Sequence, residues 1–212
     1  MQKNPGSFPF QKSVDRGRQI VDIVTSLVAT VERGGAGAAP LVAAGKIHEV
    51  GREFATALAA YEAAGDAAEA VVRIAIVQLK IGEPVKALAI IKAFVGKNPD
   101  FRFKDISGRP LSGLTVLGDA YRANGDLTAA QQAYAQALKL EPRDGQSAGQ
   151  LARMHISNNE AAAAIELSSR FLDRDEMAAL ESTTRLLAND PNRLPALGGL
   201  VNSFAAKISD VR

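Results

Sequence analysis

The sequence predicts an all-α fold: a right-handed superhelical array of antiparallel helix hairpins, with an amphipathic helix ahead of it. Three observations carry that prediction. The 212 residues include 38 alanines but no Trp, and aromatics make up only 5%; alanine is the strongest helix former and the residue that lets helices approach closely. No stretch alternates polar and apolar residues with β-branched enrichment, so no sheet is expected. Turn elements fall at regular distances, the step from Gly65-Asp66 to Gly82-Glu83 being half the step from Gly125-Asp126 to Asn159-Glu160. Two helices of about 14 residues with two short turns make a unit of roughly 34 residues, which is the longer step.

The elements follow in order. Residues 1–12 hold Pro5, Gly6 and Pro9 and read as an extended arm. Residues 13–33 read as a helix N-capped by Ser13, with Ile20, Val24, Leu27, Val28 and Val31 on one stripe. Residues 34–40 form a glycine-rich linker, ending at Pro40 where a first helical turn tolerates proline. Residues 41–212 are the repeat domain, with helices expected over 41–64, 67–81, 84–97, 111–124, 127–140, 145–157, 160–172, 175–189 and 194–208. Connections of two to four residues make consecutive helices antiparallel neighbours. The phase breaks once, at an insert near 100–110 read as a loop that Phe101 and Phe103 tuck against the helices.

Residues 111–144 place Leu114, Leu117-Gly118, Tyr121, Ala130, Tyr134, Ala137 and Pro142 at fixed offsets. That window resembles the tetratricopeptide repeat, with Leu114 where Trp is usual. Gly118 and Ala130 would permit close helix approach, Tyr121 and Tyr134 would fill the space beside it, and Pro142 would stop the second helix. Residues 68–101 fit more loosely through Val71, Ile74-Ala75, Ala87, Ile91, Phe94 and Pro99, with Gln78 where Tyr is usual. Residues 145–178 fit in part through Leu151-Ala152, Ala164 and Phe171. The resemblance covers roughly 51–208 and implies a solenoid of the tetratricopeptide-repeat type, with weak terminal units because each faces solvent on one side.

Composition narrows the chemistry. With no Cys and only two His, thiolate zinc sites and cysteine nucleophiles are excluded and a histidine metal site is not expected. His48 and His155, each isolated on a helix, read as packed or hydrogen-bonded residues, not catalytic or ligand ones, and the cluster Asp173, Asp175, Glu176 reads as a helix start. No phosphate loop, nucleophile elbow, zincin motif or calcium loop is present. Gly34 to Pro40 follows no expected strand, so it is a linker and not a dinucleotide turn. The chain is expected to be no enzyme and to need no cofactor and no metal. A net charge of +2 lacks the footprint of a nucleic-acid binder. No secretory core is visible, and no apolar run approaches the roughly 20 residues of a membrane helix. The expected location is the cytoplasm, without transmembrane insertion.

What remains is surface. The resemblance implies a concave face lined by Val72, Ile76, Leu79 and Lys80 in the second unit, Thr115, Asp119 and Arg122 in the third, and Gly149, Arg153 and Ile156 in the fourth. Residues 86–110 hold six cations against two acids, and Lys97, Arg102, Lys104 and Arg109 read as a basic patch able to steer an acidic partner. The expected function is a non-catalytic adaptor that binds a segment of another protein along the concave face. The alternative is a self-assembling scaffold or assembly and secretion chaperone that oligomerises through helix 13–32.

Overall fold

The computed structural model describes residues 37–158 and 160–171. Their backbone forms α1 (Ala38–Val50), α2 (Phe54–Ala63), α3 (Ala68–Lys80), α4 (Pro84–Lys97), β1 (Arg102–Lys104), β2 (Pro110–Ser112), α5 (Gly113–Ala123), α6 (Leu127–Leu140), α7 (Gly145–Ser157) and α8 (Ala161–Ser169). The arm at 1–12, the helix at 13–33 and the helices expected over 175–189 and 194–208 lie outside the described residues, as does most of the linker. The helices expected over 84–97, 127–140 and 145–157 have the bounds read from the sequence.

Two expectations are corrected. The helix expected over 41–64 is two helices, broken at Gly51-Arg52-Glu53, where Arg52 takes the left-handed conformation at φ 64. The first of these begins at Ala38, so Pro40 sits within its first turn. The expectation of no sheet fails in the insert, where β1 and β2 pair antiparallel with Phe103 opposite Leu111. Strands of three residues are too short to display an alternating pattern, which is why the sequence conceals them.

One packing rule recurs in all four hairpins among the described residues. A small residue i on the first helix is paired with positions i+12 and i+16 on the second, giving Gly45/Ala57/Tyr61, Ala75/Ala87/Ile91, Gly118/Ala130/Tyr134 and Ala152/Ala164/Ser168. All twelve are buried. The two glycines are sterically required: a Cβ on Gly118 would stand 2.5 Å from the Tyr134 ring, and one on Gly45 would overlap the ring of Tyr61. Sequence reasoning set Gly118 against Ala130; the structure adds that an aromatic ring fills the space the glycine leaves.

The chain divides into two compact units after Ile91, within α4. The core of the first gathers Val42, Ala57, Tyr61, Ala64, Ala70 and Val77. That of the second includes Ala130, Tyr134 and Leu151, with Tyr121, Leu138, Met154 and Leu167 packed on it.

The insert, in the second unit, is an ordered ribbon. Phe94 meets Phe101 edge-to-face at 5.2 Å, and Phe101 stacks on Phe103 at 5.9 Å, as the loop reading expected of these rings. Asp105 closes the turn by accepting from Ser107 N (2.8 Å), Ser107 Oγ (2.7 Å), Arg109 N (2.9 Å) and Arg109 Nε (2.7 Å). Leu111 and Ser112 are buried while Arg102 and Lys104 are exposed, so β2 anchors the ribbon and β1 carries its outer face. Ser112 then starts α5 as its N-cap.

Candidate functional site

In the second unit the start of α5 is locked to the start of α7. Ser112 Oγ accepts from Thr115 N at 3.3 Å, and Ser112 N donates to Thr115 Oγ1 at 3.2 Å, a reciprocal capping box. The Thr115 hydroxyl donates in turn to the Asp144 carboxylate. Asp144 caps α7, accepting from Ser147 N at 2.9 Å and Ser147 Oγ at 2.7 Å. Burial pushes the Asp144 carboxyl above its ordinary value, against the pull of these donors.

One turn along α5, Asp119 joins three helices. Its Oδ1 accepts from the Tyr134 hydroxyl of α6 at 2.7 Å, and its Oδ2 accepts from the Gln146 side-chain amide of α7. Burial pushes its carboxyl up to about 6, although the Tyr134 and Gln146 hydrogen bonds and the Arg122 charge pull the other way. Burial and the negative Asp119 push the Tyr134 hydroxyl above its ordinary range. Arg122 is exposed, and Arg153 and Ile156 are half-buried.

The first unit builds a different polar cluster. Glu49, fully buried on α1, accepts from the Tyr61 hydroxyl at 2.7 Å and from Lys80 Nζ at 2.6 Å, with the buried Arg73 guanidinium 3.6 Å away. Arg73 also reaches Glu69 at 3.3 Å, and Lys46 pairs with Glu69 at 2.5 Å. Burial and the Glu49 charge push the Tyr61 hydroxyl above its ordinary range. In both clusters a carboxylate is held by hydrogen-bond donors from neighbouring helices.

The family model of the tetratricopeptide repeat matches residues 112–144. A solved structure, the MamA RS-1 ArsTM double mutant, has the same fold with a TM-score of 0.50 and 20% identity, over 74% of this chain and 85% of that one. The chain carries a tetratricopeptide repeat at residues 112–144. At that identity the likeness speaks for the fold alone. No curated protein matches the sequence.

The repeat register places the sequence-read site residues unevenly. Ile76 and Leu79 are half-buried and Lys80 is exposed but tied to Glu49. Val72 and Thr115 are corrected: both are fully buried and offer no side-chain surface, Thr115 because its hydroxyl is spent on Ser112 and Asp144. Gly149 is buried as well. Asp119 and Arg122 come together with Tyr134 and Gln146. In the basic patch, Lys97, Arg102 and Lys104 are exposed, but Arg109 is corrected, since its guanidinium is paired with Asp105 at 2.7 Å inside the ribbon turn. His48 and His155 are hydrogen-bonded, as the sequence reading expected, each to a carboxylate five residues on, Glu53 and Glu160, at 2.6 Å.

Lys46, Glu49, Glu69, Arg73 and Gln146 were missed. The signal was in the sequence: the spacing from Gly45 to Tyr61 equals that from Gly118 to Tyr134. That equality marks a hairpin of the same plan beginning at Ala38, whose first helix sets Lys46 and Glu49 at the offsets of Asp119 and Arg122.

Proposed function

We propose that this protein is a non-catalytic adaptor that binds a segment of another protein on the face lined by the first helices of its hairpins. Tetratricopeptide repeats bind other proteins or peptides, and such stacked hairpins offer extended surfaces in place of reaction pockets. The observation that supports the reading best is on α5 and α7: beyond the satisfied Asp119–Gln146 contact stand the cations Arg122 and Arg153 with the apolar Ile156. Among the described residues, neither arginine is ion-paired. Guanidinium groups on a partly apolar face suit bidentate capture of carboxylates flanked by apolar side chains. In the first unit, Ile76 and Leu79 supply a separate partly apolar strip beside Lys80, whose charge is paired with Glu49. At the end of α4 and on the ribbon, Lys97, Arg102 and Lys104 would raise the encounter rate with an acidic partner at low salt.

The test is affinity capture with the intact chain and with Arg122→Glu plus Arg153→Glu, both checked for unchanged helicity. The double variant is expected to lose the proteins that the parent retains. Retention of the same proteins at the same yield would overturn the reading.

A further inference from the structure

We propose that the α5–α7 face binds an acidic peptide segment and that Asp119 couples this binding to proton uptake, so that the complex tightens in a mildly acidic medium. The proposal rests on the reading of that face as a partner-binding surface and adds the ligand's chemistry and its control.

The geometry begins with the way Asp119 is held. Each carboxylate oxygen is occupied by a neutral donor from a different helix, Tyr134 on α6 and Gln146 on α7. The side chain is thereby fixed, and no direct ion pair cancels its charge when it is ionised. The charged and titratable groups around it are few: Arg122 on its own helix, Tyr134 on α6, and Asp144 at the N-cap of α7, beside the neutral Gln146. Asp144 repels a second negative charge and Arg122 attracts it.

The cations that would draw a ligand lie just beyond. Because α6 runs back between them, α5 and α7 run in the same direction. Arg122 is three residues past Asp119 and Arg153 seven past Gln146, about 4.5 Å and about 10 Å along the respective axes. A ligand carboxylate seated on these guanidiniums shares Arg122 with Asp119 and approaches it in a partly desolvated place, where like charges repel strongly. Taking up one proton at Asp119 removes the conflict and releases the Arg122 charge from Asp119 to the ligand. Burial already brings this carboxyl to about 6, so the added push from a bound anion moves its titration into the neutral range. By linkage, a ligand that raises the proton affinity of Asp119 binds more tightly when the proton is supplied.

The probe is a dye-labelled octaglutamate, whose carboxylates stay ionised between pH 5.5 and 7.5. Calorimetry and anisotropy with the full chain are expected to show binding about five- to tenfold tighter at pH 5.5 than at pH 7.5. Heats measured in buffers of different ionisation enthalpy should reveal uptake of a fraction of a proton. Asp119→Asn, in which the amide oxygen can still accept from Tyr134 and Gln146 can turn its own oxygen toward the new amide, should bind with the tighter affinity at both pH values. An equal pH slope in the parent and in Asp119→Asn overturns the coupling but leaves the acidic ligand standing. Absence of octaglutamate binding to the parent, or undiminished binding to Arg122→Glu plus Arg153→Glu, overturns the underlying reading of the face. Carbon-detected NMR titration of the Asp119 carboxyl in the free parent chain gives a readout independent of any variant: a midpoint near 6 supports the proposal, and one at the ordinary aspartate value overturns it.

Discussion

The hairpins α1–α2 and α5–α6 are built on one steric plan and opposite electrostatic plans. In each, a glycine of the first helix lies under a fully buried tyrosine ring of the second, Gly45 under Tyr61 and Gly118 under Tyr134. In each, the tyrosine hydroxyl donates to a carboxylate at 2.7 Å. The first helices reverse their charges: Lys46 and Glu49 stand one and four residues after Gly45, where Asp119 and Arg122 follow Gly118. The acid that meets the tyrosine therefore comes from one helical turn further on in the first hairpin, and the longer Glu spans the difference. The next first helix completes each cluster differently, α3 supplying Arg73 and Lys80 to Glu49 and α7 supplying only the neutral Gln146 to Asp119. One buried carboxylate is thus matched by cations, while the other is left to be pushed up toward neutral pH. Packing alone does not decide what a repeat can do; the partner that the following repeat offers does.

The sharpest way to break the comparison is to remove the buried cation of the first cluster. Arg73→Met keeps much of the volume of the buried side chain but leaves Glu49 with Lys80 as its remaining cation, and Lys80 is 41% exposed. Stripping one partner from a buried ion pair costs about 3–5 kcal/mol, because the remaining charge is neither hydrated nor neutralised. Chemical denaturation of the variant should show a loss of that size. A loss under about 1 kcal/mol would mean that Glu49 does not depend on Arg73.

Asp119 provides the second test, through pH. Its folded-state value of about 6 lies above its ordinary 3.8, so between these values the folded chain binds more protons than the unfolded one. The stability this group contributes is full below about pH 4 and is lost as pH rises through 6. Asp119→Asn abolishes that dependence. Relative to the variant, the parent should lose on the order of 2 kcal/mol between pH 4 and pH 7. Parallel stability curves over that range would place the unsatisfied charge elsewhere.

How much of this was legible follows from what kind of residue carries each feature. The third hairpin was readable because its diagnostic residues, Gly118, Tyr121, Ala130, Tyr134 and Pro142, act through size and backbone conformation, which a residue expresses wherever it stands. The buried clusters were not, because burying a charge depends on partners that are distant in sequence: Glu49 is 12 residues from Tyr61 and 31 from Lys80. Thr115 was placed on the surface by register, yet its environment is set by Asp144, 29 residues on. The ribbon at 102–112 hid behind strands of three residues. The break after α1 hid behind Arg52, a side chain that gives no hint of a left-handed turn.

That last residue yields the finest comparison between the two hairpins. Arg52 and Gly125 both stand seven residues after the packing glycine and both take positive φ, 64 and 83. The left-handed region costs a side-chain-bearing residue about 1–2 kcal/mol relative to the right-handed one, and costs glycine nothing. Glycine also gives the unfolded chain more freedom, which offsets about 0.4–1 kcal/mol of the gain. Arg52→Gly should therefore stabilise the first unit by about 0.5 kcal/mol, and Gly125→Arg should destabilise the second by about the same. Thermal melts of the pair resolve the signs. If Arg52→Gly destabilises, then Arg52 makes contacts that outweigh its backbone strain, and the turn of the first hairpin is held by its side chain where that of the third is held by the freedom of its backbone.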